Sequence, residues 1–126
     1  MKTSFILIAV AIIFSTSLLS VRAADDKQAQ TIFDNLLAAQ LAGDYNAFVA
    51  DADDQVKAAL TKTQFDAASK IVSGQLKGGY DETFLGELNQ RGYQIFLYRL
   101  RPKDGSDDML GTMSLKDDKV AGNYFH

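Results

Sequence analysis

The sequence contains no cysteine, no tryptophan, one proline and one histidine in 126 residues. Without cysteine, the chain forms no disulfide, carries no lipid-modified cysteine and offers no thiolate nucleophile. The one histidine, His126, stands at the end of the sequence, which argues against a Ser-His-Asp triad. Because a structural zinc site needs several Cys or His ligands, we also predict no metal site and no cofactor.

The chain has fewer basic than acidic residues: 13 Lys and Arg against 16 Asp and Glu, which gives a formal net charge of −3. A chain without a basic stripe is a poor match for nucleic acid, so we expect no nucleic-acid partner. The acidic run at Asp51, Asp53 and Asp54 does not fit an EF-hand loop, which has Gly at its sixth and Glu at its twelfth position. Those positions are Val56 and Lys62, so we interpret the run as a solvated helix face or a helix break.

A long apolar run occurs only near the N-terminus. Lys2, the apolar run 5–14 and the small residues before Ala24 are typical of a secretory signal peptide over residues 1–23. The run is shorter than the ~20 residues of a membrane span, so we expect no stable span after cleavage, and an uncleaved anchor is the alternative. Cleavage takes the formal net charge from −3 to −5. It leaves one domain, 24–126, exported to a bacterial periplasm or to the medium.

Three turn signals divide the C-terminal part of the chain into strands. They lie at 89–92, 103–106 and 116–119, and Asp104-Gly105 is the strongest because both residue types tolerate positive φ. The predicted strands are residues 82–89, 93–102, 108–115 and 120–125. Short connections favour antiparallel neighbours, which predicts a four-stranded meander.

The segment before the strands predicts helices. Asp25 and Asp26 cap a first helix that ends at Gly43, and Asp44 caps a second that continues to about residue 60. Thr61 or Thr63 caps a third. The predicted fold class is therefore α+β, with three N-terminal helices packed on a four-stranded antiparallel meander sheet.

Both faces of the second strand carry apolar side chains, although the helices cover only one face. We predict that the other face forms a pocket, contacts a second subunit or binds another protein. In the second strand, Phe96, Tyr98 and Leu100 lie on one face, and Ile95 and Leu97 lie on the other. Whichever of these two faces the helices leave open is the predicted binding face. Arg99 and Arg101 hold an anionic ligand or pair with acidic neighbours. The candidate ligand or interface residues are Phe96, Tyr98, Leu100, Leu110, Tyr124, Phe125, Arg99 and Arg101.

Several short motifs resemble a known group of proteins. Gly43-Asp44-Tyr45, Leu85-Gly86-Glu87-Leu88 and Lys119-Val120-Ala121-Gly122 are similar to segments of small secreted bacterial domains of unknown function. These domains belong to the cystatin-like α+β superfamily, which includes nuclear transport factor and ketosteroid isomerase. The resemblance spans about residue 26 to the C-terminus and implies a trimmed cystatin-like cone. In that superfamily the sheet and helices often enclose a pocket, and the open sheet face often forms a dimer.

We therefore expect a non-catalytic, exported module that binds a small apolar ligand or forms a homodimer through the open sheet face. The alternative is a small acid–base enzyme of the isomerase or cyclase type, which needs a carboxylate in an apolar pocket beside a hydroxyl donor. Asp81 or Glu87 is then the base, and Tyr98 or Tyr124 is the donor.

Overall fold

The computed structural model describes residues 24–126, and the leader predicted over residues 1–23 lies outside them. Four helices come first: α1 (Asp26–Ala42), α2 (Tyr45–Val49), α3 (Asp54–Ala59) and α4 (Lys62–Leu76). Four strands follow: β1 (Tyr80–Gln90), β2 (Tyr93–Pro102), β3 (Met109–Lys116) and β4 (Lys119–Phe125). They pair antiparallel in the order β1-β2-β3-β4. The predicted α+β class and the meander are confirmed.

Each helix begins at a side-chain cap that is local in the sequence. The carboxylates of Asp25, Asp44 and Asp53 accept backbone N–H groups in the first turns of α1, α2 and α3. Thr61 and Gln64 form a reciprocal capping box at the start of α4. None of the helices in residues 24–126 is long and apolar enough to cross a membrane.

The acidic run divides the helix predicted over residues 45–60 into α2 and α3. Its backbone pairs with β4 instead: the Val120 N–H donates to the Asp51 carbonyl, and the Asp53 N–H donates to the Val120 carbonyl, both at 2.8 Å. The bridge is parallel and places Ala52 opposite Val120. The run therefore covers the outer edge of β4 at its beginning.

The helices cover one face of the sheet. On that face Phe96, Tyr98 and Leu100 of β2 are fully buried. The ring of Phe33 on α1 stacks on the ring of Tyr98, with 4.0 Å between centroids and 17° between planes. Side chains of the opposite parity, such as Ile95, lie on the face that the described helices leave open.

A bulge at Leu85 changes which face the second half of β1 presents. The register jumps there, because Phe84 pairs with Tyr98 whereas Gly86 pairs with Leu97. Uninterrupted alternation places Leu88 on the same face as Phe84. With the bulge, Leu88 lies on the open face instead, and 46% of its surface is exposed.

Candidate functional site

A groove runs between the edge strand β4 and one stripe of α4. The stripe consists of Gln64, Ala68, Ile71 and Gln75, which recur at helical spacing. The groove comprises two depressions, of about 300 Å³ beside Ile71 and about 420 Å³ beside Gln64. Both depressions are lined by Asn123 and Tyr124. We call this surface the α4–β4 groove; its other lining residues include Gln40, Phe48, Val56, Leu60, Val72, Met109, Phe125 and His126.

Two amide side chains in the α4–β4 groove lack hydrogen-bond partners among residues 24–126. Gln40 is 5% exposed, and its Oε1 accepts no hydrogen bond. The side chain of Asn123 is unpaired at both Oδ1 and Nδ2, although both atoms are buried. Buried amide groups are normally paired, so both amides hold unmet hydrogen-bonding capacity beneath the groove surface.

The walls of the α4–β4 groove contain no acidic residue and no Lys or Arg among residues 24–126. Apolar walls come from Ile71 and Val72 on one side and from Phe48 and Val56 at the other end. A charged group that enters such a site loses hydration without gaining a partner, so the groove favours uncharged, apolar ligand groups.

The edge of β4 offers unpaired main-chain groups beside the groove. Leu110 and His126 exchange both of their N–H···O=C hydrogen bonds, each at 3.0 Å. In an antiparallel ladder such pairs occur at every second residue. Tyr124 is therefore the next residue of β4 that bonds to β3, and the N–H and C=O groups of Asn123 and Phe125 point away from β3.

Three of the predicted site residues lie in the core. Phe96, Tyr98 and Leu100 are fully buried under α1 and present no surface to a ligand or a second subunit. The open face is consequently formed by the side chains between these three, which was the second of the two predicted possibilities. Ile95 and Leu97 are its members on β2.

Three further predicted residues lie near the β4 edge. Leu110 is on the open face and is 37% exposed, while Tyr124 is 62% exposed. Phe125 is half-buried on the helix side, with its ring centroid 6.1 Å from that of Phe33. Tyr124 and Phe125 both line the smaller depression, so this part of the predicted set belongs to the α4–β4 groove.

The last two predicted residues lie where β2 approaches its end. The guanidinium of Arg101 donates to both carboxylate oxygens of Asp108, from Nε at 3.0 Å and from Nη2 at 3.1 Å. This hydrogen-bonded ion pair lowers the pKa of Asp108. Arg99 donates to the Thr83 hydroxyl at 3.4 Å. Arg101 therefore pairs with an acidic neighbour, Asp108, which was the predicted alternative to binding an anionic ligand.

Sequence reasoning missed both unpaired amides. Gln40 carries a usable signal, because it follows Phe33 and Leu36 on the apolar stripe of α1, and a polar residue within such a stripe is buried. Asn123 carries none. The face of Asn123 depends on a register shift in β4: Gly122 pairs with Ser114, whereas Val120 pairs with the next residue of β3, Leu115.

Glu82 is a half-buried carboxylate on the helix side of β1. The Gln30 side-chain amide of α1 donates to both Asp34 and Glu82 and so holds the two carboxylates together. Burial raises the pKa of Glu82 to about 7, helped by the hydrogen bond that the protonated Glu82 donates to the Asp34 carboxylate and by the negative charge of Asp34. Burial also raises the pKa of Tyr98, and the charges of Glu82 and Asp34 add to this effect.

The acid–base alternative named Asp81 and Glu87, and both are exposed. The environment that it requires is a carboxylate inside an apolar pocket. Among these three carboxylates, Glu82 is the most buried and so lies closest to such an environment. Glu82 is already bonded to Gln30 and does not line the α4–β4 groove. Neither Asp81 nor Glu87 therefore provides the pocket carboxylate that the acid–base alternative requires.

We expect Glu82→Gln to stabilise the domain near pH 8 and to change its stability little near pH 4. The pKa of Glu82 rises on folding from 4.5 to about 7. The folded state therefore holds this proton more tightly, and the stability that it contributes is complete below pH 4.5 and lost as pH rises through 7. Because partial exposure screens the effect, we expect a gain of about 1 kcal/mol at the higher pH.

Urea unfolding at the two pH values measures this gain. Asp81→Asn is the matched control, because it removes a carboxylate one residue away at an exposed position. An equal gain from Glu82→Gln at both pH values would contradict the assignment.

A scan against protein-family models and a search of curated proteins find no match to the chain. Among solved structures, the chain is similar to an uncharacterized cystatin fold protein from Novosphingobium aromaticivorans, at 16% sequence identity and a TM-score of 0.40. The match covers 76% of this chain and 95% of that chain. A similarity at this level carries nothing about function, and the α+β arrangement rests on the helices and strands themselves.

Proposed function

We propose that the protein is a non-catalytic binding module and that an uncharged, largely apolar ligand lies in its α4–β4 groove. The observation that supports this most directly is Gln40. Its side chain is 5% exposed, and its Oε1 has no partner among the described residues. Leaving a buried amide unpaired costs about 1–3 kcal/mol. A ligand that displaces the side chains covering this oxygen and donates a hydrogen bond to it removes that cost.

The rest of the groove suits the same ligand. Once side-chain rotation exposes these buried atoms, an N–H or O–H of the ligand donates to Gln40 Oε1, and the Asn123 amide accepts from one ligand group and donates to another. Apolar parts of the ligand pack against Ile71 and Val72, where burial contributes about 25 cal/mol per Å². At about 300 Å³, the smaller depression is at the lower end of the range for small-molecule sites.

Gln40→Leu is expected to weaken binding of neutral amides and alcohols by about tenfold, the loss of one hydrogen bond of ~1.4 kcal/mol. The same substitution replaces an unpaired amide by an apolar group of similar size, so we expect the stability of the domain to stay unchanged or to rise. Ligand-detected NMR with a panel of small neutral amides and alcohols measures the affinity.

Gln75→Leu is the matched control for that experiment. Gln75 is exposed and lines the same depression, so its replacement leaves the buried acceptor intact. Equal losses in the two variants would show that the ligand does not bond to Gln40. A panel that binds neither the parent nor the control would overturn the proposed function.

The open face of the sheet is the second candidate, for contact with a second copy of the chain. Leu88 and Leu110 are exposed there, and a shallow depression of about 650 Å³ is lined by Tyr93, Ile95 and Tyr124 among others. Exposed apolar surface of this kind is typical of protein contacts. A chain that stays monomeric in sedimentation velocity at high concentration excludes this candidate.

A further inference from the structure

We propose that the ligand of the α4–β4 groove is an extended peptide segment of another protein, which adds to β4 as the next strand of the sheet. The inference rests on the proposed function, because it names the chemical class of ligand for the same groove. The peptide has uncharged side chains, with apolar ones at alternate positions.

The first support is the free edge of β4. The N–H and C=O groups of Asn123 and Phe125 point away from β3. No backbone group of residues 24–126 outside the sheet bonds to them. An edge with unpaired groups is a template for another strand. Its donors and acceptors have the spacing that a second peptide backbone supplies.

The second support is a strand-like pairing that already exists on the same edge. Asp51 and Asp53 bond to both main-chain groups of Val120 at 2.8 Å. The chain then turns into α3 at Asp54 and leaves the edge. The edge therefore pairs with an extended segment at its beginning and stays open from Asn123 onward. An added peptide continues this interface.

The third support is the pair of depressions between the edge and α4. Side chains of an added strand that point to the same side repeat at ~6.6–6.8 Å. The two depressions meet at Asn123 and Tyr124, so adjoining side chains on the helix side of the peptide enter one depression each. Main-chain bonds supply affinity in this mode of recognition, and the pockets for alternate side chains supply specificity.

The unpaired amide of Asn123 lies where these depressions join. Its Oδ1 and Nδ2 are buried in the free protein, and a rotation that exposes them lets them pair with the N–H and C=O of one peptide group. Because the described walls have no Asp, Glu, Lys or Arg to act as a counter-charge, they disfavour charged residues at the two inward positions of the peptide. Backbone complementarity and side-chain complementarity thus select the same ligand.

Hydrogen exchange of the full chain tests the inference directly. The probe is a mixture of capped hexapeptides that alternate Thr with Val, Leu or Phe. At a free concentration about ten times the dissociation constant, we expect exchange of the Asn123 and Phe125 N–H groups to slow by about tenfold. Asn89 on the opposite edge strand β1 is the internal control, because its N–H points away from β2 by the same alternation. The same peptides with N-methylated backbones are expected to give no protection, because they lack the donors of a strand.

Ile71→Glu tests the side-chain part of the inference. Ile71 is 64% exposed, so the carboxylate leaves the fold intact while it charges the groove wall. We expect the affinity for the peptide mixture to fall at least about tenfold, because the apolar contact of Ile71 is lost and the new carboxylate loses hydration under the peptide. Ala67→Glu is the matched control, since it adds the same charge at an exposed position of α4 that does not line the groove.

Each outcome decides between the two proposals. Protection by the native mixture and not by the N-methylated one supports strand addition. If the peptides give no protection while the neutral amides and alcohols still bind in a Gln40-dependent way, strand addition is wrong and the proposed function stands. If neither class binds, both are wrong. Protection of Asn123 and Phe125 in a peptide-free dimer assigns the edge to a second copy and overturns the inference.

Discussion

Tyr98→Phe is expected to leave the domain as stable as the parent or about 1 kcal/mol more stable, whereas Tyr98→Glu is expected to unfold it. The Tyr98 side chain is fully buried, and its hydroxyl has no hydrogen-bond partner among the described residues. Its ring stacks on Phe33 at 4.0 Å and lies 5.5 Å from the ring of Phe84. Removal of the hydroxyl thus takes an unpaired polar group out of the core and keeps the aromatic packing.

Glutamate at position 98 reverses both effects. It buries a carboxylate in the apolar core, near the negative charges of Glu82 and Asp34 that already raise the pKa of Tyr98. Such a substitution belongs to the class that costs more than ~4 kcal/mol. Domains of this size are stable by about 5–15 kcal/mol, so little stability is left.

Denaturant unfolding followed by circular dichroism measures both variants. Leu110→Glu is the control, because Leu110 is partly exposed on the open face and its carboxylate stays hydrated. A loss of more than about 1 kcal/mol in Tyr98→Phe would show that the hydroxyl is paired. A folded Tyr98→Glu would show that β2 presents its other face to the helices.

Gly111→Ala is expected to destabilise the domain by about 1–3 kcal/mol. Gly111 lies in β3 opposite Tyr98, on the face covered by α1. A Cβ at this position lies 2.7 Å from Phe33 Cζ and 3.0 Å from Phe33 Cε2, with Phe125 Cε1 at 3.3 Å. Because Phe33 is fully buried and stacked on Tyr98, its ring has little room to move.

Gly74→Ala is the matched control and is expected to act in the opposite direction. Gly74 lies within α4, and a Cβ there has no atom within 4 Å. Alanine at such a position stabilises a helix by about 0.5–1 kcal/mol. Thermal and urea unfolding of both variants measure the contrast. A neutral Gly111→Ala would show that α1 moves away from the sheet without cost.

A smaller side chain at position 33 makes this prediction sharper. In a Phe33→Leu background, we expect Gly111→Ala to cost less than in the parent, with a coupling of about 0.5–3 kcal/mol. Equal costs in the two backgrounds would show that the strain arises elsewhere.

Local features of the fold were predictable because neighbouring residues determine them. Asp25, Asp44 and Thr61 begin helices through hydrogen bonds to N–H groups three residues ahead. Gly43 ends α1 with a φ of 67°, and Gly105 takes a φ of 84° in the predicted turn between β2 and β3. Neither feature depends on a distant segment.

The features that the sequence did not predict depend on partners far along the chain. The acidic run leaves the helix at Ala52 because its backbone bonds to Val120 of the last strand. The bulge at Leu85 and the register shift in β4 exist only against a paired neighbour. Together they decide the faces of Leu88 and Asn123, so strict alternation fails at both residues.

By itself, the sequence determined the α+β class, the strand order of the meander and the starts of α1, α2 and α4, because these follow from caps, turns and short connections. It did not determine which face of β2 the helices cover, since both faces are apolar. The tertiary structure decided this where Phe33 packs over Gly111, the glycine of β3 that leaves room for the ring. The same packing brings Gln40 of α1 and Asn123 of β4 to one groove, a proximity that neither local sequence contains.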